Sequence, residues 1–285
     1  MRANMLQKIR IFVVTVYATL RITLIVLYKV NFRGGYPRWY GDKWLRWWAR
    51  ELVDAVRIRY MVIDPHHTRI EPGKRYIVMG NHRSHYDIPL SVLAIPGSVR
   101  MLTKKELFKV PLWGKGMTAG EFISIDRHDF EQAKRDLAAA RAKMEDGIVL
   151  WIAPEGTRSR TGGLIAAHAG VSMVALRSGA PIIPCALVGM DYLPMAGTRR
   201  PLRGYPKVTT IFGEPFHLLL EKPEGGRWSF DDLTDAMMIE MAHVTCCHRR
   251  WKRECLETLS RVNSTVFSPR IAHAKRNNQP SYERV

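Results

Sequence analysis

Cysteine is scarce in this chain: Cys185, Cys246, Cys247 and Cys255 are the only four among 285 residues, and two of them are adjacent. That excludes a disulfide framework and leaves reduced thiols in a chain long enough to build a real core. A zinc centre is not indicated either. His243, Cys246, Cys247, His248 and Cys255 match no common ligand spacing and fall in a segment that reads as helix, so no metal is expected. Acidic residues are also few, 26 Asp and Glu against 44 Lys and Arg, for a net charge of +18. Such an excess calls for an anionic partner, lipid or nucleic acid. The chain carries no nucleic-acid recognition motif, so no nucleic acid is expected as partner, and it has no internal repeat.

What is present points to a membrane surface. Residues 1–60 hold 12 basic and 3 acidic residues, a local +9, together with Trp39, Trp44, Trp47 and Trp48 and the longest apolar run, Ile11 to Tyr28. Positive charge, tryptophan and an apolar helix together describe a membrane interface. As a helix the run is about 27 Å long, close to the hydrocarbon thickness. Thr15, Thr19 and Thr23 share one stripe, and Arg21 lies roughly opposite. A central arginine costs about 2.5–3.5 kcal/mol on insertion scales, so a single span and a helix lying in the interface both stay open. Residues 42–58 mix Lys43, Arg46 and Arg50 with Trp and Leu. They read as a second surface-bound helix, or as a core helix with a solvated basic face.

Beyond residue 60 the pattern alternates. Strand-like runs are Tyr76–Met79, Val99–Leu102, Phe122–Ile125, Ile148–Ile152, Ile182–Val188 and Val208–Phe212; helical patterns cover about 85–94, 129–145 and 168–178. Helices between strands predict an α/β fold, with a largely parallel central sheet covered by helices and chemistry in the loops at strand ends. Pro184 inside a strand predicts a bulge or an edge. A long helix from about Ser229 to Leu259 is expected to close the domain. The expected organisation is thus 1–60, N-terminal membrane-associating helices; 61–262, the α/β domain with its C-terminal helix; and 263–285, a flexible basic tail. A chain beginning near Asp64 is expected to keep the α/β core.

Two loops carry the chemistry. Asn81-His82-Arg83-Ser84-His85-Tyr86-Asp87 comes after a strand and precedes a helix. Residues five apart on a regular helix point about 140° apart, so His82 and Asp87 meet only if the chain turns between them. Asn81 and Ser84 are turn or cap residues that would allow it. A neutral histidine held by a carboxylate is what a general base requires. Pro154-Glu155-Gly156-Thr157-Arg158-Ser159 comes after the apolar strand 148–152. Arg127, just after another strand, and Arg158 suit a phosphate, because guanidinium pairs with it bidentately. Glu155 repels phosphate and is expected to orient Arg158 or an acceptor hydroxyl. Gly156 would let backbone N–H groups approach an anion, with Thr157 beside it.

These blocks resemble the glycerolipid acyltransferase family, the group that includes 1-acylglycerol-3-phosphate acyltransferases. Four blocks stand in the family's order: N-H-x-S-x-x-D at Asn81–Asp87, G-x-F-I-x-I-x-R at Gly120–Arg127, P-E-G-T-R-S at Pro154–Ser159, and I-I-P at Ile182–Pro184. The resemblance implies acyl transfer from acyl-CoA or acyl carrier protein to the free hydroxyl of a lysophospholipid, giving phosphatidic acid where the acceptor is 1-acylglycerol-3-phosphate. His82 and Asp87 would be catalytic, with no covalent acyl-enzyme and no cofactor beyond the acyl donor. Arg127, Glu155, Gly156, Thr157 and Arg158 would bind substrate, and membrane lipids would be the surroundings. One departure concerns the acceptor: His168 stands before Gly170 where many relatives carry a lysine. Another lysophospholipid or an acylated amino-acid lipid is the alternative acceptor, and a non-catalytic basic membrane scaffold the second alternative. The expected location is at a membrane, with the site on its cytoplasmic side.

Overall fold

The computed structural model describes residues 5–68, 70–71, 73–126, 129–160, 163–168, 170–190, 193, 206–218, 227–246 and 271–273. In chain order the elements are α1 (Met5–Phe32), α2 (Arg38–Ala55), β1 (Arg59–Ile63), β2 (Tyr76–Gly80), α3 (Asp87–Ala94) and β3 (Ser98–Lys104). A single helical turn, Lys105–Lys109, leads to α4 (Trp113–Ala119) and β4 (Ile123–Ile125). Then come α5 (Phe130–Glu145), β5 (Ile148–Ile152), α6 (Gly170–Ser178), β6 (Ile182–Val188), β7 (Lys207–Phe212), β8 (Phe216–Leu218), α7 (Phe230–Cys246) and β9 (Ile271–His273).

The sheet runs β1-β7-β6-β2-β5-β3-β4, with β8 on β6 and β9 on β8. β6, β2, β5, β3 and β4 are mutually parallel, and β1 runs parallel to β7. β7 and β8 meet β6 antiparallel. This is the largely parallel sheet expected, and the continuous apolar runs explain it. Every residue of β2, β5 and β6 is buried, because both faces of the sheet are covered. Ile77 and Met79 face α5, α6 and α7 through Leu137, Met144, Val174, Met237 and Met241. Tyr76 and Val78, one residue out of phase, face α2 and α3 through Leu45, Ala49, Val92 and Ile95.

The structure decides the open alternative for 42–58 and changes two expectations, the start of the core and the tail. α2 is part of the layer covering the sheet, not a separate surface helix. Arg46 ends α3 by donating to the carbonyls of Val92 (2.7 Å), Ile95 (3.0 Å) and Gly97 (3.0 Å), and Asp42 accepts from the buried Arg100 at 2.7 Å. A chain beginning at Asp64 would therefore lose part of the core, together with β1, which straddles the boundary expected at residue 60. Within the tail expected to be loose, Ile271–His273 pairs with β8. Pro184 lies inside the sheet, yet its ladder is broken at that point. Cys185 pairs with Phe212 on β7 and Ile182 with Phe216 on β8, so three steps of β6 face four of the partner. Gly213 N donates to Pro184 O at 2.8 Å, and the proline's missing N–H falls at the break between β7 and β8.

α1 lies along the domain. Arg10 caps α2 by donating to Ala55 O (2.7 Å), Trp48 donates to Thr19 at 3.1 Å, and Thr23 is buried near Gly116 of α4. The threonine stripe is thus its packing face. Arg21 is not left alone among apolar groups. It lies over the rings of Trp47 and Trp44, 4.7 and 5.3 Å from their centroids, within cation–π range.

Candidate active site

β2 and β5 are adjacent and parallel, so the two chemical loops emerge side by side at their carboxyl ends. The chain turns between His82 and Asp87 as their pairing demands. Ser84 Oγ accepts from Tyr86 N (3.3 Å), Ser84 O accepts from Asp87 N (3.3 Å), and α3 starts at Asp87. Asn81 clamps the loop to β6 instead of shaping the turn. Its side chain donates to Leu187 O (3.2 Å) and accepts from Leu187 N (2.7 Å).

His82 Nδ1 lies 2.7 Å from Asp87 Oδ2. The same oxygen accepts from Arg83 N at 2.6 Å and Ser84 N at 2.9 Å, so three donors hold a carboxylate that is fully buried. With Nδ1–H donated to Asp87, the imidazole keeps a lone pair on Nε2, and its side chain is 20% exposed, enough for a substrate to reach. The Trp151 ring packs edge-on against His82, with centroids 5.9 Å apart.

The second loop is tied to the first. Ser159 N donates to His82 O at 2.8 Å, and His82 N donates to Glu155 Oε1 at 3.2 Å. Glu155 is 1% exposed, and its Oε2 has no hydrogen-bond partner among the described residues. Burial, only partly offset by the N–H groups of His82 and Ile165, pushes its carboxyl up to about 8. Of the two partners expected for Glu155, Arg158 makes no contact with it among the described residues; Glu155 turns inward and accepts from the His82 backbone. Gly156 has φ +62°, the left-handed region, and its N–H donates to Ala153 O at 3.1 Å. That N–H is committed to the turn, so the glycine serves the loop's shape. Thr157 is exposed and Arg158 half-buried. Arg158 is near enough to His85 to act on it: desolvation first, then the Arg158 charge and His82, hold the His85 ring below the ordinary histidine value. His168 has an exposed side chain, and its N–H donates to Pro154 O at 3.0 Å, beside the same loop. Arg127 lies outside the described residues, as do Cys247, His248 and Cys255. The structure thus brings His82, Asp87 and Glu155 together and sets Arg158 at the rim.

Sequence reasoning gave no role to Ser159 or Trp151. Their signals were present: a serine closing the second block, and a large aromatic one strand alternation before Ala153.

A covered parallel sheet, with a His–Asp pair at one strand end and a Glu-Gly-Thr-Arg loop beside it, defines a class of group-transfer fold. Residues 62–188 match the family model described as Acyltransferase. It is 28% identical over 188 residues to the 1-acyl-sn-glycerol-3-phosphate acyltransferase of Haemophilus influenzae, a match covering 63% of this chain and 73% of that protein. It is 34% identical over 138 residues to the protein of the same description from Cocos nucifera, covering 48% of this chain but only 44% of the relative. Its fold is similar to the crystal structure of the 1-acyl-sn-glycerophosphate (LPA) acyltransferase PlsC from Thermotoga maritima. There the TM-score is 0.60 at 22% identity, over 86% of this chain and 99% of that one.

Proposed function

We propose that the protein moves a fatty acyl group from acyl-CoA or acyl carrier protein to the free hydroxyl of 1-acylglycerol-3-phosphate, giving phosphatidic acid. The observation that carries this reading is the 2.7 Å His82–Asp87 contact at the strand end, with the Glu155–Ser159 loop fastened to it. In this mechanism His82 Nε2 takes the proton of the acceptor hydroxyl as its oxygen attacks the thioester carbonyl. The C–S bond breaks, the imidazolium returns its proton to the departing thiolate, and a free thiol leaves. Asp87 holds the tautomer and stabilises the imidazolium. The acceptor oxygen is itself the nucleophile, so no acyl-enzyme and no cofactor enter. Glu155, protonated near neutrality, offers an Oε2–H to an acceptor oxygen, and Arg158, with Arg127, meets the phosphate.

The location is argued from α1. Its face bearing Phe12, Val16, Leu20 and Leu24 is exposed, while the opposite stripe packs on α2 and α4. We place the protein on a membrane with that face in lipid and the site on the cytoplasmic side. The deciding assay combines purified protein, acyl-CoA or acyl carrier protein, and a panel of lysolipids, with thiol release followed. Absence of release with every lysophospholipid would overturn the reading. A second acceptor is favoured by one observation, His168 beside Pro154 in place of a lysine. Faster release with a lysolipid other than 1-acylglycerol-3-phosphate would select it.

A further inference from the structure

β3 is the parallel neighbour of β5, as β2 is, so the segment after β3 emerges at the same end of the sheet as the His82 and Glu155 loops. That segment, residues 105–113, is a tight hairpin that the proposed chemistry does not use. Its shape is enforced. Trp113 N donates to Pro111 O at 2.7 Å around Leu112, whose φ of 62° and ψ of −54° make the rare, strained kind of γ-turn. A Cβ on Gly114 would lie 1.8 Å from Phe108 O, so only glycine lets the hairpin close.

The hairpin spends this strain on showing apolar groups to the outside. Leu107 is 41% exposed, Val110 40%, Leu112 49% and Trp113 43%. Single exposed leucines are ordinary, but four large apolar side chains within seven residues on a strained turn are not. Lys104, Lys109 and Lys115 stand exposed around them with a single acid, Glu106, while Lys105 is held by Asp126. α4 also packs on α1, with Gly116 against the buried Thr23, and α1 itself exposes Leu20 and Leu24.

We propose that the tip at residues 107–113 is a second membrane contact, seating Leu112 and Trp113 at the headgroup level of a bilayer rich in anionic lipid, with Lys104, Lys109 and Lys115 on the phosphates. Charge complementarity between this lysine-ringed apolar tip and anionic headgroups selects lipid as the occupant. The inference rests on the reading of the site as one for a lipid acceptor and deepens it: two contacts hold the His82 end of the sheet toward the bilayer, so the acceptor reaches Nε2 without leaving the membrane plane.

The test uses the full chain and two variants. L112N/W113S removes the apolar tip while keeping a residue that tolerates positive φ. K104E/K109E/K115E reverses the basic ring. Partition is measured on phosphatidylcholine vesicles with and without phosphatidylglycerol. The tip variant is expected to lose about tenfold in partition on both. The lysine variant should lose at least that much on the anionic vesicles alone, since each basic residue near such a surface is worth about 1 kcal/mol. A second measurement is Trp113 fluorescence, read as the difference between the parent chain and W113F, which brominated phosphatidylcholine should quench. Unchanged partition of both variants, or an unquenched difference signal, overturns the proposal. Neither readout needs turnover. Failure of the acyltransfer assay with partition behaving as described would refute the acceptor reading and leave this contact standing.

Discussion

At the scale of single residues the site is a division of labour between two carboxyls. Asp87 receives three donors on one oxygen and Glu155 receives two backbone N–H groups, while Asp87 Oδ1 and Glu155 Oε2 are both buried without a partner among the described residues. Burial favours the protonated form of Glu155. His82→Ala should lower turnover by at least about a hundredfold, the usual scale of a general base. Near-normal thiol release from the folded variant would remove His82 from that role. For Glu155 the sign of the pH effect can be worked out. Its carboxyl is raised from 4.5 to about 8, so the folded chain keeps a proton that the unfolded chain has already lost. Its favourable contribution is complete below about pH 4.5, and stability falls as pH rises toward 8. Melting temperatures across that window should fall more steeply for the parent than for Glu155→Gln. Turnover should also decline above pH 8 in the parent and remain flatter in the variant. Parallel pH profiles would show that the proton on Glu155 matters to neither.

At the scale of elements, α2 joins α1 to the sheet by charge as well as by packing. Arg100 is 2% exposed, donates to Gly120 O at 2.6 Å and pairs with Asp42; Asp42 also accepts from Ser98 at 2.6 Å. Arg38 pairs with Glu121 at 2.7 Å, a residue held at φ +64° just before β4. Asp42→Ala should cost about 2–3 kcal/mol by leaving Arg100 buried beside an empty position. Urea unfolding measures it, and the double variant Asp42→Leu with Arg100→Met should recover most of the loss, as apolar replacements of buried pairs do. No recovery would mean that the pair does more than satisfy its own charges. A chain beginning at Asp64 should fail to give a cooperative unfolding transition, because Leu45, Ala49, Leu52 and Val53 would leave the core with it.

At the scale of the whole molecule, a net charge of +18 and an exposed apolar helix face would act on the proposed membrane by different physics. Coulomb attraction is screened as the Debye length shrinks from about 10 Å at 0.1 M salt to about 3 Å at 1 M, while apolar insertion is not. Co-sedimentation with anionic vesicles should therefore weaken with added salt but level off above zero, and binding to zwitterionic vesicles should hardly change. Complete release by salt would assign the association to charge alone and remove α1 from the lipid.

The order of the strands β2 to β7 and of the helices α3, α5 and α6, the burial of β2, β5 and β6 and the two chemical loops were legible in the sequence because each is a local pattern. A continuous apolar run needs cover on both faces, and a His, a Ser and an Asp at fixed spacing after a strand admit few turns. The Pro184 break was legible for the same reason, since a residue without an N–H must fall where the ladder is interrupted. Contacts between distant segments were not legible. Nothing local distinguishes a basic tryptophan-rich helix on a membrane from α2 on a sheet; long-range contacts such as Asp42 with Arg100, Arg46 with the end of α3, and Leu45 and Ala49 in the core decide between them. Nothing local says that Glu155 turns toward the His82 backbone and not toward its neighbour Arg158, because that depends on β2 and β5 lying side by side. The weak edge strand β1 escaped notice because its five residues are all exposed and it owes its form to pairing with β7. Side-chain chemistry and spacing determined which groups are available for catalysis; the long-range register of parallel strands decided which of them meet, and how far each is shielded from water.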